Sequence, residues 1–291
     1  MPHSHSHKTD NIQLAFYLNL GFAILEIFGG FWTNSMAIIS DALHDFGDTF
    51  SLGLAWAFEQ LSRRQYDNKY SYGYKRFSML GAFFNMIVLL GGSLFVLSEA
   101  VPRLLNPEST YAPGMVMFAI IGIGVNGFAM LRLRKQHSMN ARVVALHMLE
   151  DMLGWTAVLI ISITLLFTDL YILDPLLSII ITAVILSNVI RNLKKTAALF
   201  LQASPENIAI NEIESQLLEI NHVQSTHHTH AWSLDGEHHV LTTHIVISNG
   251  TSQDEIRKIK AQVRNLGRKH NFIHITVETE FDKETCSMKN G

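Results

Sequence analysis

The sequence predicts a membrane α-helical protein: six transmembrane helices followed by a small cytoplasmic α+β domain of order αββαβ. Three observations predict it. The chain of 291 residues is 48% hydrophobic and only 16% charged, whereas soluble proteins carry about 25% charged residues. The apolar residues gather in 12–200, in blocks near the roughly 20 residues that cross a bilayer. Residues 203–285 show the short alternating and helical patterns of a soluble domain instead.

Residues 1–11 form a histidine-containing N-terminal segment. "MPHSHSHKTDN" lacks the apolar core of a cleavable signal, so the first span is expected to act as its own insertion signal. The run "HSHSH" at 3–7 either holds zinc loosely or is a plain polar end. The expected spans are 12–33, 36–61, 77–100, 113–133, 141–168 and 171–193, with "TNS" closing a tight hairpin between the first two. Pro102, Pro107 and Pro113 punctuate the loop after the third. Gly21, Gly29, Gly30, Gly122 and Gly124 are expected to let helices pack closely. Lys and Arg set the orientation. Arg63, Arg64, Lys69, Lys75 and Arg76 follow span two; Arg132, Arg134, Lys135 and Arg142 follow span four; Arg191, Lys194 and Lys195 end span six. Only Arg103 lies on the other side, so both termini are expected in the cytoplasm.

The tail reads as helix, strand, strand, helix, strand. Ile213, Leu217 and Ile220 share a helical face, and Asp-Gly joins two β-rich runs. Ile256, Ile259, Val263 and Leu266 form a second helical stripe, and "FIHITVETEF" alternates as a half-buried strand. Two helices on an antiparallel sheet are the expected packing. The single cysteine, Cys286, rules out an internal disulfide framework and fits a reducing compartment. A net charge of −3 gives no basic field for nucleic acid.

Span two carries the anomaly: "SDALHDFGDTF" puts Asp41, His44, Asp45 and Asp48 into an apolar helix. His44 and Asp48 are four apart and share a face. "ALHMLEDMLG" repeats the spacing with His147 and Asp151. Ionisable groups in a bilayer face the bundle interior and pair or bind something. A single such pair is equally well a structural hydrogen bond, but a duplicate on a second helix points to metal. Two imidazoles and two carboxylates make a four-ligand set suited to a tetrahedral divalent ion such as Zn2+. Asp45 and Glu150 point away from this set, Asp45 as a supporting or packing group, and Asp41, one turn before Asp45, is expected to accept a helical hydrogen bond. Glu26, Asn19, Asn85 and Asn126 are expected to hydrogen-bond between helices, with Glu26 and Asn126 as alternative liners of an ion path. Four protein ligands leave no open position for a catalytic water, so the chain is not read as an enzyme.

The stretches "GGFWTNSMAIISDALHDFGD" (29–48) and "ALHMLEDMLG" (145–154) resemble the cation diffusion facilitator family of zinc transporters. The likeness extends to the six spans, their orientation and the αββαβ tail. It implies a homodimer that exports Zn2+ in exchange for protons, with the transport site on helices two and five at His44, Asp48, His147 and Asp151. H-x-x-x-D on both helices is the zinc-like form. The family's cytoplasmic zinc sites use positions matching His227, His244 and Glu280; His228, His230 and Glu278 are further candidates in the same cluster. On a regular strand His228, His230 and Trp232 share one face and His227 the other. Some members hold another metal between helices two and three with Asp and two His. Here Tyr70 and Tyr74 stand where those His would fall, so that site is expected to be absent. The short loop between helices four and five resembles bacterial members and implies the inner (plasma) membrane. Alternatives left open are export of Cd2+, Co2+, Ni2+ or Fe2+, and a membrane-anchored metal sensor.

Overall fold

The computed structural model describes residues 6–133, 139–282, 284 and 286, without the side chains of 6–19, 52, 55, 56, 59, 60, 132, 133 and 139–144. The side chains of the N-terminal histidine run, of Asn19, and of Arg132, Arg134, Lys135 and Arg142 of the expected orientation signal lie outside those limits. Six long helices come first: α1 Ser6–Thr33, α2 Met36–Ser62, α3 Arg76–Leu105, α4 Ala112–Leu133, α5 Met139–Phe167 and α6 Leu173–Phe200. Then follow α7 Ile210–Leu218, β1 Val223–Ser233, β2 His239–Ile247, α8 Gln253–Lys269 and β3 Phe272–Phe281. The chain forms two compact units, Met1–Ala57 with Gly81–Asn192, and Phe58–Leu80 with Leu193–Gly291.

Among the described residues four helices are long and apolar enough to cross a membrane: α3, α4, α5 and α6; a shorter apolar stretch covers Leu20–Thr33. The six expected spans are thus matched by four on length and composition. α2 is 27 residues long but carries Asp41, Asp45 and Asp48 inward. Large apolar side chains such as Phe28, Phe128, Ile160 and Val184 are exposed on the outer faces of the first unit, as lipid contact requires. Its interior holds Ile38, Met115, Trp155 and Val158. Two glycines explain how close the helices come: a Cβ at Gly30 would meet Ile39 Cγ1 at 2.5 Å, and one at Gly122 would collide with the Trp155 ring. Gly21 and Gly124 have open space instead, so they are not the packing glycines their sequence setting suggests.

The α1–α2 turn is fixed by Asn34, whose φ of 54° lies in the left-handed region and whose amide donates to Glu108 and the Ser109 carbonyl, both at 3.1 Å. The start of α2 is held by Asp174, the second residue of α6. Asp174 is fully buried; it accepts from the Ser35 hydroxyl at 2.5 Å and from the Met36 amide at 2.7 Å. Ser178 donates to the Met36 carbonyl at 3.0 Å, and the Ser40 and Thr182 hydroxyls pair at 2.9 Å. This stitching orients the helix that carries His44 and Asp48.

In the second unit β2 is central, in the order β1-β2-β3. β1 pairs with β2 antiparallel, but β2 pairs with β3 parallel, which corrects the expected all-antiparallel sheet. The reason is topological: α8 lies between β2 and β3 in the chain, and a helical crossover returns a strand in the same direction. Both helices cover one sheet face, where Ile213 and Leu217 meet Leu241, Ile245, Ile259 and Val263. α8 starts with a reciprocal capping box between Ser252 and Glu255.

Candidate metal centres

In the first unit α2 and α5 bring His44, Asp48 and His147 together, with one ligand atom of each within 4.8 Å of the others. His147 Nε2 lies 2.7 Å from Asp48 Oδ2 and 3.9 Å from Asp151 Oδ2; His44 Nε2 lies 3.9 Å from Asp48 Oδ2. Asp48 therefore stands between two imidazoles, and buried Asp151 joins through His147. A lone carboxylate at this depth would be costly; here it faces two nitrogen donors, the mixed N/O set that suits a divalent transition ion. Behind the site, His44 Nδ1 is buried without a hydrogen-bond partner, beside a cavity of about 10 Å³ lined by Ser40, Ser93 and Thr182.

The other polar groups of the spans settle differently. Asp41 and Asp45 are buried, and Asp41 Oδ1 faces Gly154 of α5, where a Cβ would come within 3.9 Å. Glu26 is fully buried among acidic groups, with the Asp45 carboxyl as its hydrogen-bonding neighbour and Asp41 and Asp151 as further electrostatic neighbours. Asn126 donates at 3.2 Å to the Gly122 carbonyl of its own helix, not across to another helix. Sequence reading did not mark Asp174, because its partners lie 138 and 139 residues away.

In the second unit, on the sheet face opposite α7 and α8, His227, His244, Glu280 and Cys286 bring ligand atoms within 4.8 Å of one another. The strands place them: His227 is opposite His244 on β2, which lies beside Glu278 on β3. His244 Nδ1 donates to Glu280 Oε1 at 2.7 Å, which in the neutral imidazole leaves Nε2 as the ligating nitrogen. His227 Nε2 sits 3.3 Å from Glu280 Oε2, yet it is buried without a well-aligned hydrogen bond among the described residues. Burial alone would push the Glu280 carboxyl up, but the His244 hydrogen bond, Cys286 and His227 outweigh it and hold it below the ordinary range. An orphaned buried nitrogen facing an ionised buried carboxylate fits a bound cation, and the N, O and S donors suit zinc.

A bulge interrupts β1 between His227 and His230, with His228 at φ 52°. It breaks the regular alternation expected there: the His228 ring lies 5.3 Å from that of His244 and 4.4 Å from that of His230. Burial lowers the His228 pKa and favours its neutral, ligating form. His230 is exposed opposite Thr242, and Glu278, 59% exposed, reaches His244 Nε2 at 3.5 Å. Cys286 is the member that sequence reading missed as a ligand; its only signal is a lone thiol a few residues beyond the last strand.

In the loop between α2 and α3, Asp67 is committed to local structure. It accepts from Tyr74 Oη at 2.6 Å and from the Lys69 and Tyr70 amides, each at 2.8 Å.

Comparison with known proteins finds matches to both parts of the chain. Residues 12–201 match the cation efflux transmembrane domain, and residues 205–281 match the cation efflux protein cytoplasmic domain. The chain is 31% identical over 284 residues to the metal cation efflux system protein CzcD of Cupriavidus metallidurans, covering 96% of this chain and 89% of the relative. It is 30% identical over 290 residues to the cadmium, cobalt and zinc/H(+)-K(+) antiporter of Bacillus subtilis, covering 96% and 92%. It is also 30% identical over 308 residues to the zinc transporter ZitB of Escherichia coli, covering 100% and 97%. With both domains matched and two helices presenting facing His-Asp pairs, the chain belongs to the cation efflux family of membrane transporters.

Proposed function

We propose that this transporter exports Zn2+ from the cytoplasm in exchange for protons, by alternating access around His44, Asp48, His147 and Asp151. The observation that carries the reading is the meeting of His44, Asp48 and His147 from two helices within 4.8 Å. Imidazole and carboxylate bind either a proton or a metal ion, so loading Zn2+ expels protons and protons expel Zn2+. One set of groups then suffices for exchange. In this reading α1 and α2 join α3–α6 as six spans, with both termini in the cytoplasm of a bacterial inner membrane. The Lys and Arg asymmetry and the bacterial sources of the relatives support that placement.

The cytoplasmic domain is proposed to associate two copies of the chain and to bind regulatory Zn2+ at His227, His244 and Glu280. Cys286 is the fourth donor, and His228 and Glu278 lie at its edge. Zinc there would favour the arrangement it binds better. A second reading, Cd2+ or Co2+ as cargo, is favoured by the name of the Bacillus relative and by the weak selectivity of N/O sites. Uptake into inverted vesicles driven by a pH gradient, with a panel of metals, tests both. Zn2+ should accumulate only with the gradient, and a chain that moves no metal would be a sensor instead.

A further inference from the structure

In the second unit the α2–α3 loop and the sheet enclose a cavity of about 230 Å³, and its lining is cationic. Lys69, Lys75 and Arg76 line it, together with Tyr72, Trp232 and Gln202; no carboxylate does. Tyr72 holds the wall in place. Its ring lies 6.3 Å from that of Trp232 and 5.2 Å from that of His274, edge-on to both.

Three positive charges around one small cavity repel each other unless something compensates them. Among the described residues the compensation is partial: Asp67 is an electrostatic neighbour of Lys69 but is already engaged by Tyr74 and two backbone amides. Lys75 reaches Asp235 at only 4.0 Å. Asp235 also accepts from the His238 imidazole and backbone amide, both at 2.7 Å, and from the Glu237 amide at 3.0 Å. Lys69 is exposed and stands 5.5 Å from the centroid of the Tyr70 ring. Arg76 Nε is buried and no group among the described residues accepts from it. A buried guanidinium Nε without an acceptor among the described residues, at the edge of a cationic cavity, suits an anionic ligand.

Size and depth narrow the ligand. The volume is below the several hundred Å³ of pockets for drug-sized molecules, yet many times that of a water site. Arg76 is the first residue of α3, which is apolar enough to cross a membrane from Arg76 to Leu105. A cavity at the first residue of such a helix would lie near the depth of the lipid phosphates. An Arg with two Lys is the donor set that recognises phosphate. We propose that this cavity binds a phosphate-bearing anion, a phosphodiester headgroup of an acidic lipid or a free phosphate sharing its chemistry.

The test uses the full chain in detergent. Native mass spectrometry counts retained phosphatidylglycerol and phosphatidylcholine, and filter binding with labelled inorganic phosphate covers the soluble source. Arg76→Gln and Lys69→Gln should each weaken binding by roughly tenfold, whereas Lys195→Gln, which pairs with Glu206 away from the lining, should change nothing. Phosphatidylglycerol retained over phosphatidylcholine with that variant pattern identifies the lipid. Inorganic phosphate bound with the same pattern, and no lipid preference, identifies the soluble ion. If neither ligand responds to the two lining variants, or if Lys195→Gln weakens binding equally, the proposal is overturned. Should Arg76→Gln not elute as a monodisperse species, the exposed Lys69→Gln decides alone.

Discussion

His147 on α5 is closer to Asp48 on α2, at 2.7 Å, than to Asp151 on its own helix, at 3.9 Å. The tighter pairing runs across the helices, so Asp48 links the two halves of the proposed transport site.

Asp48→Ala removes the carboxylate that both imidazoles face. Zn2+ flux in reconstituted vesicles should fall by at least about a hundredfold, on the scale of losing a strong charged ligand. Asp151→Ala should abolish flux as well, while both proteins still insert and elute normally. Wild-type flux in either variant would refute the four-ligand site.

Asp174→Ala leaves the Ser35 hydroxyl and the Met36 amide without their buried acceptor. The expected loss is about 2–4 kcal/mol, from a missing helix cap plus unsatisfied buried donors. Thermal unfolding in detergent should show a clear drop, and Asp174→Asn, which keeps one acceptor oxygen, a smaller one. An unchanged unfolding temperature for Asp174→Ala would mean that α2 is held elsewhere.

Tyr74 should ionise late. Its hydrogen bond to Asp67 stabilises the neutral phenol and raises its pKa above 10.0, and the same bond leads the causes that hold the Asp67 carboxyl below its usual value. The raised phenol contributes stability that is complete below pH 10.0 and is lost as pH rises through the folded-state value. Tyr171 is raised in the same way by Asp169, so ultraviolet titration of tyrosinate should show a delayed component from both phenols that Tyr74→Phe reduces by one tyrosine. A titration curve of identical shape in both proteins would contradict the bond.

Zinc on the cytoplasmic domain should depend on the whole donor set. His227→Ala with His244→Ala should remove one equivalent per chain from the purified full-length protein, and Cys286→Ser should weaken it by roughly 10- to 100-fold. Equal zinc content in all three proteins would place the site elsewhere.

Two glycines in the membrane helices should behave oppositely. Gly30→Ala drives a methyl into Ile39 and should cost about 1–3 kcal/mol. Gly124→Ala meets open space and should stabilise by up to about 1 kcal/mol. Similar unfolding temperatures for the pair would show that α1 and α2 can part without penalty.

The legible part of this chain was periodic. H-x-x-x-D at one-turn spacing announced which residues share a face, and the apolar blocks announced α3 to α6. What the spacing could not carry was contact between distant segments. Asp174 sits beside Pro175 at the start of α6, and by local rules it reads as that helix's own cap; its clamp on α2 exists only in the folded bundle. Cys286 lies beyond the last strand, where no pattern ties it to His244. The parallel β3 was readable and was missed, since strand, helix, strand with a crossover of this length favours parallel pairing. The bulge at His228 has no signature in "STHHTHAW", because its left-handed residue is not a glycine.

The bonds from Asp174, Ser178 and Thr182 tie α6 to the first turns of α2 at three levels. These bonds make the two helices one bar, while α5, which supplies the other half of the candidate site, packs against α2 without sharing in that tie. At 1.5 Å per residue, His44 and Asp48 lie roughly 13 and 20 Å from the tie at Ser35. A tilt of about 10° about that end carries them roughly 2 and 3 Å from α5. Metal ligands tolerate only about 0.2 Å, so a small swing of a stiff arm is enough to dismantle the coordination, with no helix bent and none unwound.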